Sequence, residues 1–345
     1  MPFGCGMTVS VLICTCNRAA RLARTLDYFV NLKPVGYTAD LVVVDNRSTD
    51  ETAQAVRDAA SRASIPIAYA YEPQQGKSFA LNHGLRLATG DVLALTDDDV
   101  TPAPEWLDRI VDAFRGSDIT FVGGKVLPLW EKEPTADLLT RRGQDIWGPL
   151  ALVDYGDAPF DYTLDGAGQR LPVGANLAFR RAIVERIGGW RPDLGKVDNT
   201  LISGEDHEIF LRLKRADAYR GVYRPDVVVY HDVPASRLTP RYFRRWFFAW
   251  GQTAGLMLDD LYGFVNRADV PHVAGVPRFL YRQFAAQILQ WCRTWTMHDP
   301  LERWVEQLYT IRFVGLIWER WQLWLRQPAR RLFERRALTE ATPAP

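Results

Sequence analysis

The sequence predicts an α/β fold in which a mostly parallel β-sheet has helices on both faces and a helical extension follows it. Three observations support this prediction. Short β-branched runs alternate with helical patterns from Met7 onward, polar clusters follow several of these runs, and strand patterns stop beyond Pro240. Such alternation is typical of βαβ units, whose parallel strands are joined by helices.

Four strand–helix pairs open the chain. The predicted pairs are 8–14 with 21–31, 40–45 with 50–61, 65–71 with 78–88, and 91–96 with 105–114. The segment 125–170, rich in Pro, Gly, Asp and aromatic residues, predicts an irregular insertion. The elements predicted after it are a strand at 171–179, helices at 181–187 and 205–215, and a strand at 227–231.

Composition and charge divide the chain into two parts. A length of 345 residues with 47% hydrophobic and 24% charged residues is that of a globular protein and excludes wholesale disorder. Residues 1–235 carry net charge −6, whereas residues 236–345 carry +7, contain no lysine and hold 8 of the 12 tryptophans. We therefore expect a domain over 1–235 and an Arg/Trp-rich helical extension over 236–345, which packs on its own domain, binds a membrane surface or forms an oligomer contact.

The four cysteines are too few and too irregularly spaced for a disulfide framework, which favours a reducing cytoplasm. The N-terminus lacks the basic flank and apolar run of a secretory signal. The longest uncharged stretch of the extension, 246–258, has 13 residues and falls short of the roughly 18–20 that cross a bilayer. We expect a cytoplasmic protein, with peripheral attachment to the inner face of the cell membrane as the alternative.

Three carboxylates, Asp97, Asp98 and Asp99, directly follow the apolar run 92–95. They would repel one another unless a cation or hydrogen-bond donors compensate, and Mg²⁺ or Mn²⁺ is the cation that carboxylates and phosphates share. Because side chains alternate along an extended segment, Asp97 and Asp99 are expected on one side and Asp98 on the other. The alternative is a solvated acidic turn.

Polar clusters also follow the first two predicted strands, at 15–18 and 45–50. Open α/β sheets bind ligands at the carboxyl ends of their strands, so these clusters are candidates for a binding site. Ser48 and Asp50 are equally explained as caps of the next helix. Lys77 follows Gly76 at a helix start, where a cation and free N–H groups can meet a diphosphate, although a surface lysine explains it equally well.

Two further positions combine a chemical and a structural interpretation. His231, at the end of a Val-rich strand, is either a metal ligand as neutral imidazole or a strand-end histidine with an ordinary partner. Glu205 and Asp206 open a helix, where acids are stabilised by the helix dipole. A carboxylate is also the group that takes a proton from an attacking hydroxyl.

A set of motifs over residues 7–235 resembles the inverting family 2 glycosyltransferases of GT-A fold, which have a Rossmann-like nucleotide-binding sheet. In order, they are S-V-L-I-C-T-C-N-R (10–18), V-V-V-D-N-R-S-T-D (42–50), G-K-S-F-A-L-N-H-G-L (76–85), the Asp97–Asp99 element, G-A-N-L-A-F-R-R (174–181), I-G-G-W (187–190), G-E-D-H-E (204–208) and V-Y-H (229–231). The sequence departs from many members at Asn46-Arg47, where they have Asp-Gly.

The resemblance implies a role for each matching residue. Asp206 would be the general base. The donor nucleotide would be bound by Thr15, Arg18, Asp45, Lys77 and Asp97, with Asp97 on the ribose. The metal, Mn²⁺ or Mg²⁺, would be held by Asp99 and His231. The donor sugar or the acceptor would be contacted by Gly174, Asn176, Glu205, Arg245 and Trp246.

The function implied is inverting, metal-dependent transfer of one sugar from a nucleotide diphosphate sugar, with a UDP-sugar favoured, to an acceptor hydroxyl on a lipid-linked or polysaccharide precursor. Processive members carry Q-x-x-R-W, and the stretch 241–246 lacks the glutamine, which favours single transfers. The alternatives are a silent nucleotide-binding scaffold module of a membrane complex and a sugar-phosphate nucleotidyltransferase. The second should have a Gly-rich loop after its first strand, where this chain has C-T-C-N-R. No recognised nucleic-acid-binding module is present, so nucleic acid is not an expected partner.

Overall fold

The computed structural model describes residues 6–163, 170–196, 200–263 and 270–340, with side chains to residue 326. The chain forms two compact units. The first comprises Met1–Thr135 and Trp147–Leu238, and the second Ala136–Ile146 and Thr239–Pro345. The sequence placed 136–146 in the N-terminal domain and the boundary at 235, so the structure differs in the assignment of that short segment and in three boundary residues.

The strands are short and most belong to the first unit. Their bounds are β1 Thr8–Thr15, β2 Thr38–Asp45, β3 Ile67–Tyr71, β4 Val92–Asp97, β5 Val100–Pro102, β6 Phe121–Trp130, β7 Phe160–Asp161, β8 Asn176–Arg180, β9 Gly221–Val233, β10 His272–Val273 and β11 Val276–Pro277. The last two form an antiparallel pair in the second unit, where the sequence predicted helices alone.

The helices alternate with the strands up to β9 and dominate beyond it. Their bounds are α1 Ala19–Asn31, α2 Thr52–Ala60, α3 Lys77–Leu87, α4 Trp106–Phe114, α5 Ala136–Leu139, α6 Arg141–Gln144, α7 Arg181–Arg186, α8 Glu205–Arg215, α9 Pro240–Leu256, α10 Leu258–Tyr262, α11 Arg278–Arg293 and α12 Pro300–Glu340. Short 3₁₀ turns cover Gly148–Leu150 and Ala235–Leu238.

The sheet of the first unit has the order β3-β2-β1-β4-β8-β6-β9-β5, with β7 beside β9. Strands β3, β2, β1 and β4 are parallel, and β8 runs antiparallel between β4 and β6. The register pairs Thr15 with Asp45 and Cys14 with Asp97. The polar clusters after β1, β2 and β4 therefore meet at one edge of the sheet, as the sequence predicted.

The predicted irregular insertion begins later than expected. Strand β6 continues to Trp130, because residues 125–130 pair in parallel with Val228–Val233 of β9. Strand β9, about a hundred residues further along the chain, thus provides hydrogen-bond partners for the backbone of a stretch whose composition indicated a loop. In place of the strand predicted at 171–179, the structure has the shorter strand β8, Asn176–Arg180.

Apolar side chains cover both faces of the parallel strands. Leu12 and Val42 face a buried cluster that includes Leu81 of α3 and Phe210 of α8. Val11, next to Leu12, is also fully buried, although its side chain points to the opposite face. Both faces of this part of the sheet are therefore shielded from water, which explains why its strands are continuous apolar runs.

Helices α9 and α12 form the centre of the second unit and approach each other closely at glycines. A Cβ atom on Gly251 would lie 1.9 Å from the carbonyl oxygen of Arg312, and one on Gly315 would lie 2.0 Å from that of Phe248. The segment 136–146 belongs to this unit because the Arg142 guanidinium binds Glu302 and Glu306 of α12. In the part of the chain that the structure describes, no helix is both long and apolar enough to span a bilayer.

Candidate active site

An open cleft of about 450 Å³ lies at the carboxyl ends of β1 and β4. Its walls carry most of the polar and charged groups that the sequence singled out. They include Thr15, Arg18, Lys77, Asp97, Asp98, Asp99 and His231, together with Lys196 and Arg237. The volume is within the range of small-molecule sites.

Asp98 lies in the same cluster as Asp99. Its carboxylate accepts hydrogen bonds from the Thr15 hydroxyl, at 2.7 Å, and from Arg18 Nη1, at 2.8 Å, and that same Nη1 atom lies 3.0 Å from Asp99 Oδ2. The expectation that Asp98 turns away from its neighbours is wrong, because β4 ends at Asp97 and the next two residues form a turn. Burial raises the pKa of Asp98 to about 6, against the opposing charge of Arg18.

Asp99 and His231 form a buried carboxylate–imidazole pair. The Asp99 Oδ1 atom lies 3.4 Å from His231 Nε2, and Arg237 approaches both residues, with Nη1 3.2 Å from Nε2 and Nη2 3.6 Å from Asp99 Oδ2. Burial alone would raise the pKa of Asp99, but the hydrogen bond and charge of His231 and the charge of Arg18 hold it well below its usual range. Asp99 is therefore an anion in a cationic surrounding.

Lys77 is the cation between Asp97 and Glu205. Its Nζ atom lies 3.3 Å from Asp97 Oδ1 and 3.6 Å from Glu205 Oε1. Burial would lower the pKa of Lys77, but the charges of Asp97, Asp206 and Glu205 keep it well above the usual value. Burial likewise opposes the ionisation of Asp97, yet the charge of Lys77 lowers the pKa of that carboxyl below its usual value.

Glu205 does not reach the cleft. Its side chain is 3% exposed, and its Oε2 atom is buried without a hydrogen-bond partner in the described part of the chain. Burial and the neighbouring charge of Asp206 raise the pKa of Glu205. The first turn of α8 brings Glu205 Oε1 to 3.6 Å from Lys77 Nζ, and contact of Glu205 with the donor sugar or the acceptor remains a prediction.

Asp206 borders a water-sized cavity of about 10 Å³ that shares Cys14, Lys77 and Asp97 with the cleft. Its Oδ2 atom accepts a hydrogen bond of 2.9 Å from the backbone N–H of Gly174. Its Oδ1 atom is buried and has no hydrogen-bond partner among the residues that the structure describes. Gly174 has no room for a side chain here, because a Cβ atom would lie 2.8 Å from both carboxylate oxygens. The backbone thus holds the Oδ2 atom of Asp206, whereas its Oδ1 atom can still accept a hydrogen bond.

Asn176, which was expected to touch the donor sugar or the acceptor, is buried and hydrogen-bonded to three other parts of the fold. Its Oδ1 atom accepts from the indole N–H of Trp106 at 2.8 Å, and its Nδ2 atom donates to the carbonyls of Lys125 and Val227 at 2.7 and 2.9 Å. The residue is 1% exposed. These hydrogen bonds give the Asn176 amide a structural role, and its contact with the donor sugar or the acceptor remains a prediction.

Asp45 stands beside the cleft and is 2% exposed. Its Oδ1 atom accepts from the N–H of Ser48 at 2.7 Å and its Oδ2 atom accepts from the Tyr69 hydroxyl at 2.8 Å. Asn46, at the departure from the family pattern, accepts from the N–H of Gly76 and donates to the carbonyl of Gln74. This residue ties the loop after β2 to the loop before Lys77, and contact of Asp45 with a base remains a prediction.

Two expected site residues lie in the second unit. Arg245 is exposed and Trp246 is half-buried on α9, where the Trp246 ring packs on Phe247 and Trp250. Their assignment to the donor sugar or the acceptor remains a prediction.

Sequence reasoning missed several cleft residues. Arg237 lies in a 3₁₀ turn six residues after His231, and Arg21, 3.7 Å from Asp99, lies one helical turn after Arg18. The spacing of Arg18 and Arg21 would have indicated a shared helix face. No local pattern marks Lys196 or Tyr69, which reach the site through the tertiary fold.

The donor set suits a hard divalent cation. Within the described ranges, no three His, Cys, Asp or Glu side chains already converge as a metal cage. Asp99 and His231 nevertheless offer a carboxylate and an imidazole, and the His231 Nε2 atom lies 3.4 Å from Asp99 Oδ1. Mg²⁺ and Mn²⁺ sites that work on nucleotides take one or two protein ligands and complete their shell with phosphate oxygens and water. The residues therefore fit the cation that the fold family implies.

Comparison with known proteins agrees with this geometry. Residues 10–152 match the family described as Glycosyl transferase family 2, and this range contains β1, β2, β4 and the three aspartates. Over this stretch of 143 residues, the chain is similar to the family 2 glycosyltransferases. The sequence-based assignment to this family is thereby confirmed.

Named relatives of this glycosyltransferase act in different systems. A glucosyl-dolichyl phosphate glucuronosyltransferase of Haloferax volcanii is 25% identical over 230 residues, which are 66% of this chain and 70% of that protein. The succinoglycan biosynthesis protein ExoM of Rhizobium meliloti is 28% identical over 253 residues, 73% of this chain and 75% of that protein. A dolichol-phosphate mannosyltransferase of Pyrococcus furiosus is 28% identical over 187 residues, 52% and 48% of the two chains.

A solved structure shares the fold. The mannosyltransferase PcManGT from Pyrobaculum calidifontis, in complex with GDP-Man and Mn²⁺, superposes with a TM-score of 0.52 at 20% identity, covering 92% of this chain and 91% of that one. The predicted GT-A fold with its C-terminal helical region is thus confirmed.

Proposed function

We propose that this glycosyltransferase moves one sugar from a nucleotide diphosphate sugar to an acceptor hydroxyl, with inversion at the anomeric carbon and with Asp206 as general base. The observation that carries the proposal is the unpartnered Oδ1 atom of Asp206 beside a water-sized cavity that Lys77 and Asp97 also line. A buried acceptor atom without a donor is costly to maintain in a folded protein. An attacking hydroxyl would supply that donor.

In the proposed reaction, the Asp206 carboxylate takes up the one proton that the acceptor releases. The acceptor oxygen forms a bond to the anomeric carbon from one face while the bond from that carbon to the diphosphate oxygen breaks on the other. The hydroxyl proton passes to Asp206 Oδ1, and the bonding electrons leave with the nucleoside diphosphate. The hydrogen bond from Gly174 to Oδ2 holds the carboxylate in place during this transfer.

The charged groups of the cleft support the leaving diphosphate. Lys77 begins α3 and lines the cleft, where its ammonium group can bind phosphate oxygens. Arg18 and Arg237 line the same cleft. Asp99 and His231 would hold Mn²⁺ or Mg²⁺, which when bound neutralises the charge that develops on the diphosphate.

For the acceptor we infer a lipid-linked or polysaccharide precursor. The support is the naming of two relatives for dolichyl phosphate substrates and of a third for succinoglycan biosynthesis. The donor base and sugar are to be found by screening UDP- and GDP-sugars for release of nucleoside diphosphate, with and without Mn²⁺. The sequence favours UDP, while the structural neighbour binds GDP-Man, so both belong in the screen.

The test of the base is Asp206→Asn with the best donor of that screen. The amide still accepts from Gly174 but takes up no proton, so we expect the transfer rate to fall about 100-fold or more while donor affinity persists. Asp118→Asn, which alters a carboxylate that is 87% exposed, is the matched control and should leave the rate unchanged. A large loss in Glu205→Gln with near-normal transfer in Asp206→Asn would move the role to the neighbour. A chain that binds nucleotide but hydrolyses and transfers no donor would be the silent module instead.

A further inference from the structure

A row of exposed apolar side chains runs along α12. Val314, Trp318, Trp321 and Leu325 are 43%, 46%, 39% and 58% exposed. Their spacing of four, three and four residues places them on one face of the helix. The opposite face, which includes Leu316, is buried against the second unit. The helix is therefore apolar on two sides, of which only one is used for packing.

The row extends sideways onto the β10–β11 hairpin. The indole N–H of Trp321 donates to the Tyr281 hydroxyl at 2.9 Å, and that hydroxyl donates to the carbonyl of Val273 at 3.2 Å. Val273 is itself 52% exposed. Trp324, 46% exposed, stands so close to Gly275 that a Cβ atom there would lie 2.6 Å from its own. The surface formed by Val273, Val314, Trp318, Trp321, Trp324 and Leu325 is called the tryptophan face below.

Acidic side chains of the described part of α12 are turned away from this face. Glu302 and Glu306 bind Arg142, and Glu319 is 8% exposed and accepts from Gln252 at 3.0 Å. By contrast, the arginines at 278, 282 and 326 are exposed. The sequence of α12 then continues with arginines at 330, 331, 335 and 336 and glutamates at 334 and 340. With the acids of the described part of α12 turned away, apolar rings and arginines make a surface that suits an anionic, partly apolar partner.

We propose that the tryptophan face binds the surface of a bilayer that contains anionic lipids. Indole rings are favoured at headgroup depth, where their apolar body meets lipid chains and their N–H meets water. Exposed arginines attract anionic headgroups. A second copy of the chain fits the same face poorly, since residues 236–345 carry net charge +7 and two such surfaces repel each other. The inference is independent of the proposed function, because it uses residues of the second unit alone.

The two contributions are expected to act together. Each arginine near an anionic surface strengthens binding by about fivefold, and this part weakens as salt screens charges beyond roughly 8 Å. Insertion of an exposed Trp or Leu side chain contributes about tenfold and is far less sensitive to salt. Neither contribution alone anchors a protein stably, whereas two independent ones do.

The experiment is co-sedimentation of the full chain with vesicles of phosphatidylcholine alone and of phosphatidylcholine with phosphatidylglycerol. We expect binding to the anionic vesicles at low salt, weaker binding as salt rises, and little binding to the neutral ones. The double variant Trp318→Gln/Leu325→Gln should weaken binding at least tenfold. Both side chains are exposed, so the melting temperature should stay that of the parent chain.

The matched control is Trp295→Gln. Trp295 is 63% exposed and lies outside the tryptophan face, between α11 and α12, so this variant should bind vesicles like the parent. Arg282→Gln/Arg326→Gln tests the charge and should reduce binding at low salt more than at high salt. Failure of the full chain to bind anionic vesicles, or equal losses in the Trp295 and Trp318 variants, overturns the proposal. A concentration-dependent dimer that Trp318→Gln/Leu325→Gln dissociates, without any vesicle binding, would assign the face to self-association.

Discussion

Substitution of Gly174 by alanine should disable the enzyme without unfolding it. A methyl group at this position would lie 2.8 Å from both oxygens of Asp206, whereas ordinary contacts begin at 3.4 Å, so the carboxylate must retreat by about 0.6 Å. The obstacle is the end of a side chain that can rotate, and the backbone of Gly174 does not have a positive φ. We therefore expect a near-normal melting temperature together with a misplaced base.

The size of the effect follows from the geometry of proton transfer. Misplacement by about 1 Å costs about 100-fold in rate, so a retreat of about 0.6 Å should lower kcat roughly ten- to thirtyfold. The KM for the donor should change little, because Asp206 lies outside the cleft that holds the diphosphate in our proposal. The assay is release of nucleoside diphosphate at saturating donor and acceptor. Gly6→Ala is the matched control, since its new methyl group meets atoms no closer than 3.6 Å.

A double-mutant cycle makes the reasoning refutable. If alanine at 174 acts only through Asp206, adding it to Asp206→Asn should lower the residual rate little further. Multiplicative losses in the double variant would show that Gly174 acts by another route. A kcat of Gly174→Ala within about twofold of the parent, beside a large loss in Asp206→Asn, would show that the position of this carboxylate is not critical.

Three further substitutions test other parts of the site. Asp99→Asn should abolish tight Mn²⁺ binding in calorimetric titrations with nucleoside diphosphate, and unchanged Mn²⁺ affinity would exclude Asp99 as a ligand. Asn176→Ala removes the hydrogen bonds to the Trp106 indole N–H and to two backbone carbonyls. Denaturant titration should therefore show a loss of about 3 kcal/mol in unfolding free energy. A loss of activity with unchanged unfolding free energy would contradict this prediction. The pKa of Asp98 is about 6 in the folded protein and about 4 in the unfolded chain. The contribution of the protonated carboxyl to the unfolding free energy, measured against Asp98→Asn, is therefore complete below about pH 4 and is lost as the pH rises to about 6. A flat difference in unfolding free energy between pH 4 and 7 would contradict that assignment.

Much of the fold and of the cleft could be predicted from local sequence patterns. The continuous apolar runs of β1, β2 and β4 made the strands visible, and parallel pairing then brings their carboxyl ends to one edge whatever the details of packing. The meeting of Thr15, Asp97 and His231 at one cleft could therefore be predicted. Thr15 and Asp97 are the last residues of β1 and β4, and His231 lies near the end of β9, so the sheet itself sets their positions.

Contacts between distant segments could not be predicted in the same way. The resemblance to the family assigned Asn176 to the donor sugar or the acceptor, and nothing in the sequence showed that Trp106 and the carbonyl of Val227 reach it from other elements. Glu205 and Asp206 are neighbours in sequence, and only the turn of α8 decides which is buried under Lys77 and which meets the backbone of Gly174. Such differences arise from side-chain directions that the order of residues does not reveal.

The pairing of Arg142 with Glu302 has a consequence for how the protein is made. These two residues are separated by 160 positions in the chain. At a translation rate of about 5–20 residues per second, the segment 136–146 leaves the ribosome roughly 10–30 s before its acidic partners exist. The first unit can complete its sheet during that interval. The second unit is complete only when α12 has emerged and its glutamates bind Arg142 of the segment 136–146, which was made much earlier. Removal of the C-terminal hundred residues would consequently leave that segment, with the arginine it carries, permanently exposed on what remains.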